Sequence, residues 1–119
     1  MEVGVDIVDL DRIKTVYSRY GMQFLRRFLS EEEIALCLRK PQVIASIAGR
    51  FAAKEAVVKA LGTGFSGGMH WKSFAILNDP EGRPFVCPAD GSFPSGCTIK
   101  ISISHDRHSA VAMALIEGL

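Results

Sequence analysis

Arg50-Phe51-Ala52-Ala53-Lys54-Glu55-Ala56-Val57-Val58-Lys59-Ala60-Leu61-Gly62-Thr63-Gly64 is the stretch that decides the fold. At about 100° per residue it reads as a helix. Together with the residues before it, the helix carries one bulky apolar face, formed by Ile44, Ile47, Phe51 and Val58. Lys54 and Glu55 fall within the same arc, and Arg50 and Lys59 flank it. The opposite face holds Ala45, Gly49, Ala53, Ala56 and Ala60 and has no charge. A surface helix normally sets its charges opposite its apolar stripe. Here the small-residue face lets another element approach closely, within the subunit or between subunits. The charged groups point to a partly buried place, where an ionised Glu55 needs a cation, a metal or hydrogen-bond donors.

Around this helix the chain reads as strand, helices, then strands. Glu2–Val8 alternates and is β-branched, with Val3, Val5 and Ile7 on one side and Gly4, Asp6 and Val8 on the other. A helix follows from about Asp9 to Tyr20, ended by Gly21, and a short helical piece spans Met22–Leu29. Ser30-Glu31-Glu32-Glu33 is a capping box that starts a helix stopping before Pro41. The long helix occupies about Gln42–Leu61. Beyond the Gly62–Gly68 loop, Trp71–Asn78 and Arg83–Cys87 form a hairpin across Asp79-Pro80-Glu81-Gly82. Thr98–Ser104 and Ser109–Ile116 are the last strands. The class is α+β: an antiparallel sheet packed with a long central helix, in one small domain over 1–119.

At 119 residues a single domain is expected, and 48% apolar residues can fill its core. A net charge of +1 gives no global pull toward nucleic acid or membrane. Arg12, Lys14, Arg19, Arg26 and Arg27, however, occur with no acidic residue between positions 12 and 29, which suits an acidic partner. Cys37, Cys87 and Cys97 have neither disulfide-framework nor zinc-site spacing and fit reduced, cytoplasmic thiols. Signal-peptide and membrane-span patterns are not seen.

Asp6 stands inside the first strand beside apolar neighbours, and with Glu55 it makes a two-carboxylate site plausible. Such oxygen ligands suit Mg²⁺, which takes one or two carboxylates plus substrate phosphates. Lys54, Lys59 and Arg50 would supply the cations a polyphosphate requires, and the Gly62–Gly68 loop could offer backbone amides. His105 ends a strand in which Ile99, Ile101 and Ile103 share its face. The unifying reading is metal-assisted chemistry on a phosphate anhydride.

Three motifs, Gly4-Val5-Asp6-Ile7-Val8, Arg50 to Ala56 continuing through Lys59-Ala60-Leu61-Gly62-Thr63-Gly64, and Ile103-Ser104-His105, resemble the short-chain 4′-phosphopantetheinyl transferases, the holo-acyl-carrier-protein synthase family. Order, spacing and length agree over nearly the whole chain. The resemblance implies transfer of 4′-phosphopantetheine from coenzyme A to a serine of apo acyl carrier protein, with release of adenosine 3′,5′-bisphosphate. It implies that Asp6 and Glu55 hold Mg²⁺, that Lys59 neutralises the pyrophosphate, and that Arg50, Lys54, Gly62, Thr63 and Gly64 hold nucleotide phosphates. His105 would line the nucleotide site, and Arg12 and Arg19 would dock the acidic carrier. A homotrimer with shared active sites and a place in fatty acid biosynthesis are implied as well. The chain departs from the family at 89–96, where two glycines and Pro94 replace a short helix. Two other readings stand beside the transferase: a non-catalytic module binding an acidic protein or RNA, and a Mg²⁺-dependent nucleotide hydrolase.

Overall fold

The computed structural model describes every residue except Thr63 and Ser66. The element order is β1 (Glu2–Asp9), α1 (Leu10–Tyr20), α2 (Met22–Phe28), α3 (Glu31–Arg39), α4 (Val43–Leu61), β2 (Phe74–Asn78), β3 (Pro84–Pro88), β4 (Thr98–His105) and β5 (Ser109–Glu117). The expected elements are all present, with ends moved by one to three residues. Asp9 begins α1 as its N-cap, accepting a bond from the Asp11 amide at 2.9 Å. Ser30 and Glu33 form the expected capping box. Segment 89–96 contains no helix.

β1, β5 and β4 make an antiparallel sheet with β5 central, and β2 and β3 form a separate hairpin. α4 lies between this sheet and α1–α3, so both of its long sides are covered. One core layer joins Ala52, Ala53, Ala56, Val57 and Ala60 to Ala112, Ala114, Ile116, Phe74 and Ile76. The other joins Ile47 and Ala48 to Ile13, Leu25, Phe28, Leu29, Ile34 and Cys37. A helix enclosed in this way cannot shed its charges into water on one side, so each must meet an internal partner or a cleft. Although α4 spans 19 residues, among the described residues no helix is long and apolar enough to cross a membrane.

The small-residue face of α4 serves contact within the subunit. A Cβ on Gly4 of β1 would stand 2.0 Å from the Ala56 carbonyl oxygen and 2.7 Å from the Ala60 nitrogen. Gly49 meets β4 similarly, where a Cβ would lie 3.0 Å from Ile103 Cγ2. Because Asp6 is two residues beyond Gly4 on the same side of β1, this close approach carries its side chain to α4. Val3, Val5 and Ile7 consequently point to the other side of the sheet, where they are exposed beside Val111 and Met113 of β5.

Gly4→Ala is expected to lose at least about 1–3 kcal/mol of stability, because backbone atoms rather than a flexible side chain stand in the way. Gly91→Ala should change little, since a Cβ there meets nothing within 4 Å among the described residues. Denaturant midpoints of the two variants, measured side by side, check the contrast.

Candidate active site

Asp6 on β1 and Glu55 and Lys59 on α4 line one cleft of about 740 Å³. The 55 and 59 positions are one helical turn apart, so both side chains leave α4 toward β1. Lys59 Nζ donates to Asp6 Oδ1 at 2.9 Å and to the Val5 carbonyl oxygen at 3.1 Å. Asp6 and Glu55 are half-buried, and Lys59 is exposed. Burial pushes the Glu55 carboxyl above its ordinary pKa of 4.5, and the Asp6 charge adds to the rise while Lys59 opposes it. The ammonium is thus bonded to Asp6, while Glu55 feels it only through space in a partly desolvated place. This arrangement has spare negative charge and favours a further cation.

The donor set fits Mg²⁺. Among the described residues no group of three or more His, Cys, Asp and Glu side chains is gathered for a metal ion. Two carboxylates in an open cleft leave the remaining positions to waters and substrate oxygens, which is how Mg²⁺ is commonly held. Arg12 of α1 lines the same cleft, along with Val16, Phe24 and Phe51. Sequence reasoning placed Phe51 on the helix face shared with Glu55 but assigned none of these three apolar residues to the site, although Phe51, one turn before Glu55, was the available signal.

The other expected site residues separate. Arg50 and His105 line a second cleft, of about 430 Å³, with Lys40, Asn78 and Pro84. The Arg50 guanidinium is buried and donates to the Asn78 side-chain oxygen, and its Nε, also buried, has no hydrogen-bond partner among the described residues. Gly62 ends α4 in the left-handed conformation with φ 78°, and Gly64 follows at φ 62°. Thr63 lies outside the described residues. Arg19 is exposed on α1, its guanidinium 5.5 Å from the Tyr20 ring centroid, and does not line the carboxylate cleft.

Lys54 requires a correction. It was expected beside Arg50 as a phosphate ligand, yet its side chain is fully buried. Its ammonium lies 2.7 Å from the carbonyl oxygens of Phe28 and Trp71, 2.9 Å from that of Phe74 and 3.0 Å from Glu33 Oε1. Burial lowers its pKa, and Glu33 counters that shift. With its three protons already surrounded by oxygens, this ammonium has none to offer a phosphate. Its partner Glu33 reads in the sequence only as a capping residue. The demand of a buried lysine for a counter-charge was the one clue to the pair.

The chain matches the 4′-phosphopantetheinyl transferase superfamily over residues 2–114. It is 79% identical to a holo-[acyl-carrier-protein] synthase of Pelodictyon phaeoclathratiforme over 118 residues, covering 98% of each chain. It is 65% identical to that of Chlorobium chlorochromatii, covering 98% of this chain and all of the relative. The crystal structure of the Helicobacter pylori holo-[acyl-carrier-protein] synthase in complex with coenzyme A superposes with a TM-score of 0.85 at 36% identity, covering 97% of this chain and 99% of that one. The Bacillus anthracis synthase in complex with coenzyme A (3′,5′-ADP) gives 0.83 at 31% identity, covering 99% and 96%.

The raised Glu55 pKa has a consequence for stability. The native carboxyl holds its proton to higher pH than the unfolded one, so ionising it costs stability as pH climbs through that interval. Glu55→Gln removes the cost. The variant should therefore melt above the parent at about pH 8, and the gap should narrow as the pH falls toward about 4. Added Mg²⁺ should raise the melting temperature of the parent more than that of the variant. Thermal unfolding at the two pH values, with and without Mg²⁺, reads both effects.

Proposed function

The chain belongs to the holo-[acyl-carrier-protein] synthases of the 4′-phosphopantetheinyl transferase superfamily, and we propose that it moves 4′-phosphopantetheine from coenzyme A to a serine of apo acyl carrier protein with Mg²⁺ as its metal. The observation that carries this reading is the Asp6–Glu55 pair with Lys59 in one open cleft. Asp6 and Glu55 would hold Mg²⁺, and Lys59 would place its ammonium against the pyrophosphate. Bound there, the metal supplies positive charge that stabilises the pyrophosphate as its anhydride bond breaks. The carrier serine oxygen bonds to the phosphorus bearing pantetheine, the anhydride P–O bond breaks, and adenosine 3′,5′-bisphosphate leaves. The serine proton passes to Glu55 through water, or to a water at the site.

The nucleotide end of coenzyme A needs further cations. Arg50, Lys40 and His105 line the other cleft and would meet it, while amides of Gly62 and Gly64, at the end of α4 that carries Lys59, would meet phosphates nearer the carboxylates. We assign this second cleft to a neighbouring subunit of a homotrimer, so that each active site is shared. The support is the outer sheet face, where Val3, Val5 and Ile7 are 55%, 54% and 69% exposed and Met113, opposite Val5 in register, is 44% exposed. A contiguous apolar face of this kind favours association. Arg12 and Arg19 on α1 would steer the acidic carrier toward the cleft, an attraction that salt weakens. A cytoplasmic place in fatty acid biosynthesis, with no nucleic-acid or membrane partner, completes the proposal.

Intact mass of an apo acyl carrier protein after incubation with this protein, coenzyme A and Mg²⁺ should rise by one phosphopantetheine. Coenzyme A consumed with the carrier unmodified would overturn the transferase reading in favour of hydrolysis. Val5→Glu should convert the assembly to monomers by light scattering and abolish transfer together. A fully active monomer would remove the shared site.

A further inference from the structure

Lys54 and Glu33 form a buried pair that the transfer chemistry does not use. Both side chains are fully buried, and their contacts join four separate parts of the chain. Besides Lys54, Glu33 accepts the Ser30 amide at 2.9 Å and the Ile76 amide of β2 at 2.8 Å. Lys54 meets the carbonyl oxygens of Phe28 at the end of α2, Trp71 in the connection before β2, and Phe74 at the start of β2. Phe28 and Trp71 thus share a single nitrogen. Their carbonyl oxygens can be no farther apart than the sum of two 2.7 Å contacts.

Those two residues are walls of one groove. Phe24, Phe28, Phe51 and Trp71 line an aromatic trough of about 840 Å³ beside α1, whose rim carries Tyr20, Gln23 and Arg27. The rings form a continuous chain: Phe24 to Phe28 at 5.2 Å, Phe28 to Phe51 at 5.2 Å and Phe51 to Trp71 at 6.1 Å between centroids. Phe24, Phe51 and Val16 also line the carboxylate cleft, so the trough opens directly onto the reacting centre. The excess of basic residues on α1 and α2 suits an acidic protein surface with apolar side chains at its centre.

We infer that Lys54 and Glu33 are positioning residues for carrier-protein docking: their buried ion pair fixes the backbone of Phe28 and Trp71 and so holds the aromatic wall that the carrier meets. The inference rests on the transferase reading for the identity of the carrier. It separates Lys54 from its helix neighbour Glu55, which serves the metal. Lys54 acts on the docking wall and never touches substrate.

Trp71 is the single tryptophan, so its fluorescence reads the wall directly. Lys54→Met alone strands a buried carboxylate and risks unfolding. The variant to use is Lys54→Met combined with Glu33→Gln, with folding checked by circular dichroism. Acrylamide should quench Trp71 more strongly in this variant, and the Kd for apo carrier protein, followed by Trp71 emission, should rise roughly tenfold. The Kd for coenzyme A with Mg²⁺, measured by calorimetry, should stay within about twofold of the parent. A folded variant with unchanged quenching and unchanged carrier affinity overturns the inference. An equal loss for carrier and coenzyme A overturns it too, because the pair would then support the whole site. If the parent binds no carrier protein, the proposed function fails independently. Quenching then decides whether the pair holds the wall: an increase supports it and no change refutes it.

Discussion

The close approach of β1 to α4 is the constraint from which the site follows. Gly4 lies against the backbone of Ala56 and Ala60 with no room for a Cβ. A strand normally stands away from a helix by the length of two side chains. Here the small face of α4 and the absent side chain of Gly4 remove most of that distance. The next inward residue of β1, Asp6, then reaches the turn of α4 that carries Glu55 and Lys59. The meeting of Asp6 with Glu55 and Lys59 is therefore a product of packing between elements far apart in the chain. Alternation along the strand also fixes the other outcome: Val3, Val5 and Ile7 must face away from α4 and present an apolar outer surface.

A second set of interactions orients the opposite side of α4. Successive residues of one helix take opposite fates, with Lys54 sealed inside and Glu55 facing a cleft. Glu33 neutralises the sealed ammonium, and carbonyl oxygens from three other residues surround it. Removing one partner of such a pair leaves a buried charge, which costs about 3–5 kcal/mol in comparable cases. The pair therefore specifies how α2, α3, β2 and the connection before β2 sit around the helix. It also ties the aromatic wall to the same helix that carries Glu55.

Much of this was legible in the residues themselves. Period, capping and turn chemistry gave each element its place, because Asp9, Gly21, Ser30 and Gly62 mark ends through local geometry. The unusual position of Glu55 on its helix face already set it apart from a solvent-facing charge, and it does line a cleft with Asp6 and Lys59. Lys54 occupies the same arc, and that arc proved wide enough to hold both a core position and a cleft position. Periodicity resolves a face, while the fate of two adjacent residues depends on what covers it. The partner of Lys54 could not be read because Glu33 already satisfied a local pattern. The division of Arg50 and His105 from the carboxylates was equally hidden, since motif order says nothing of which cleft each side chain enters.

The most direct test is whether Asp6 and Glu55 together hold the metal in the presence of coenzyme A. Mn²⁺ can stand in for Mg²⁺ as a paramagnetic probe, with bound ion counted by electron paramagnetic resonance. Coenzyme A should tighten Mn²⁺ binding to the parent protein, and Asp6→Asn and Glu55→Gln should each abolish the tightening while remaining folded. Undiminished, coenzyme-A-dependent binding in both variants would contradict that role.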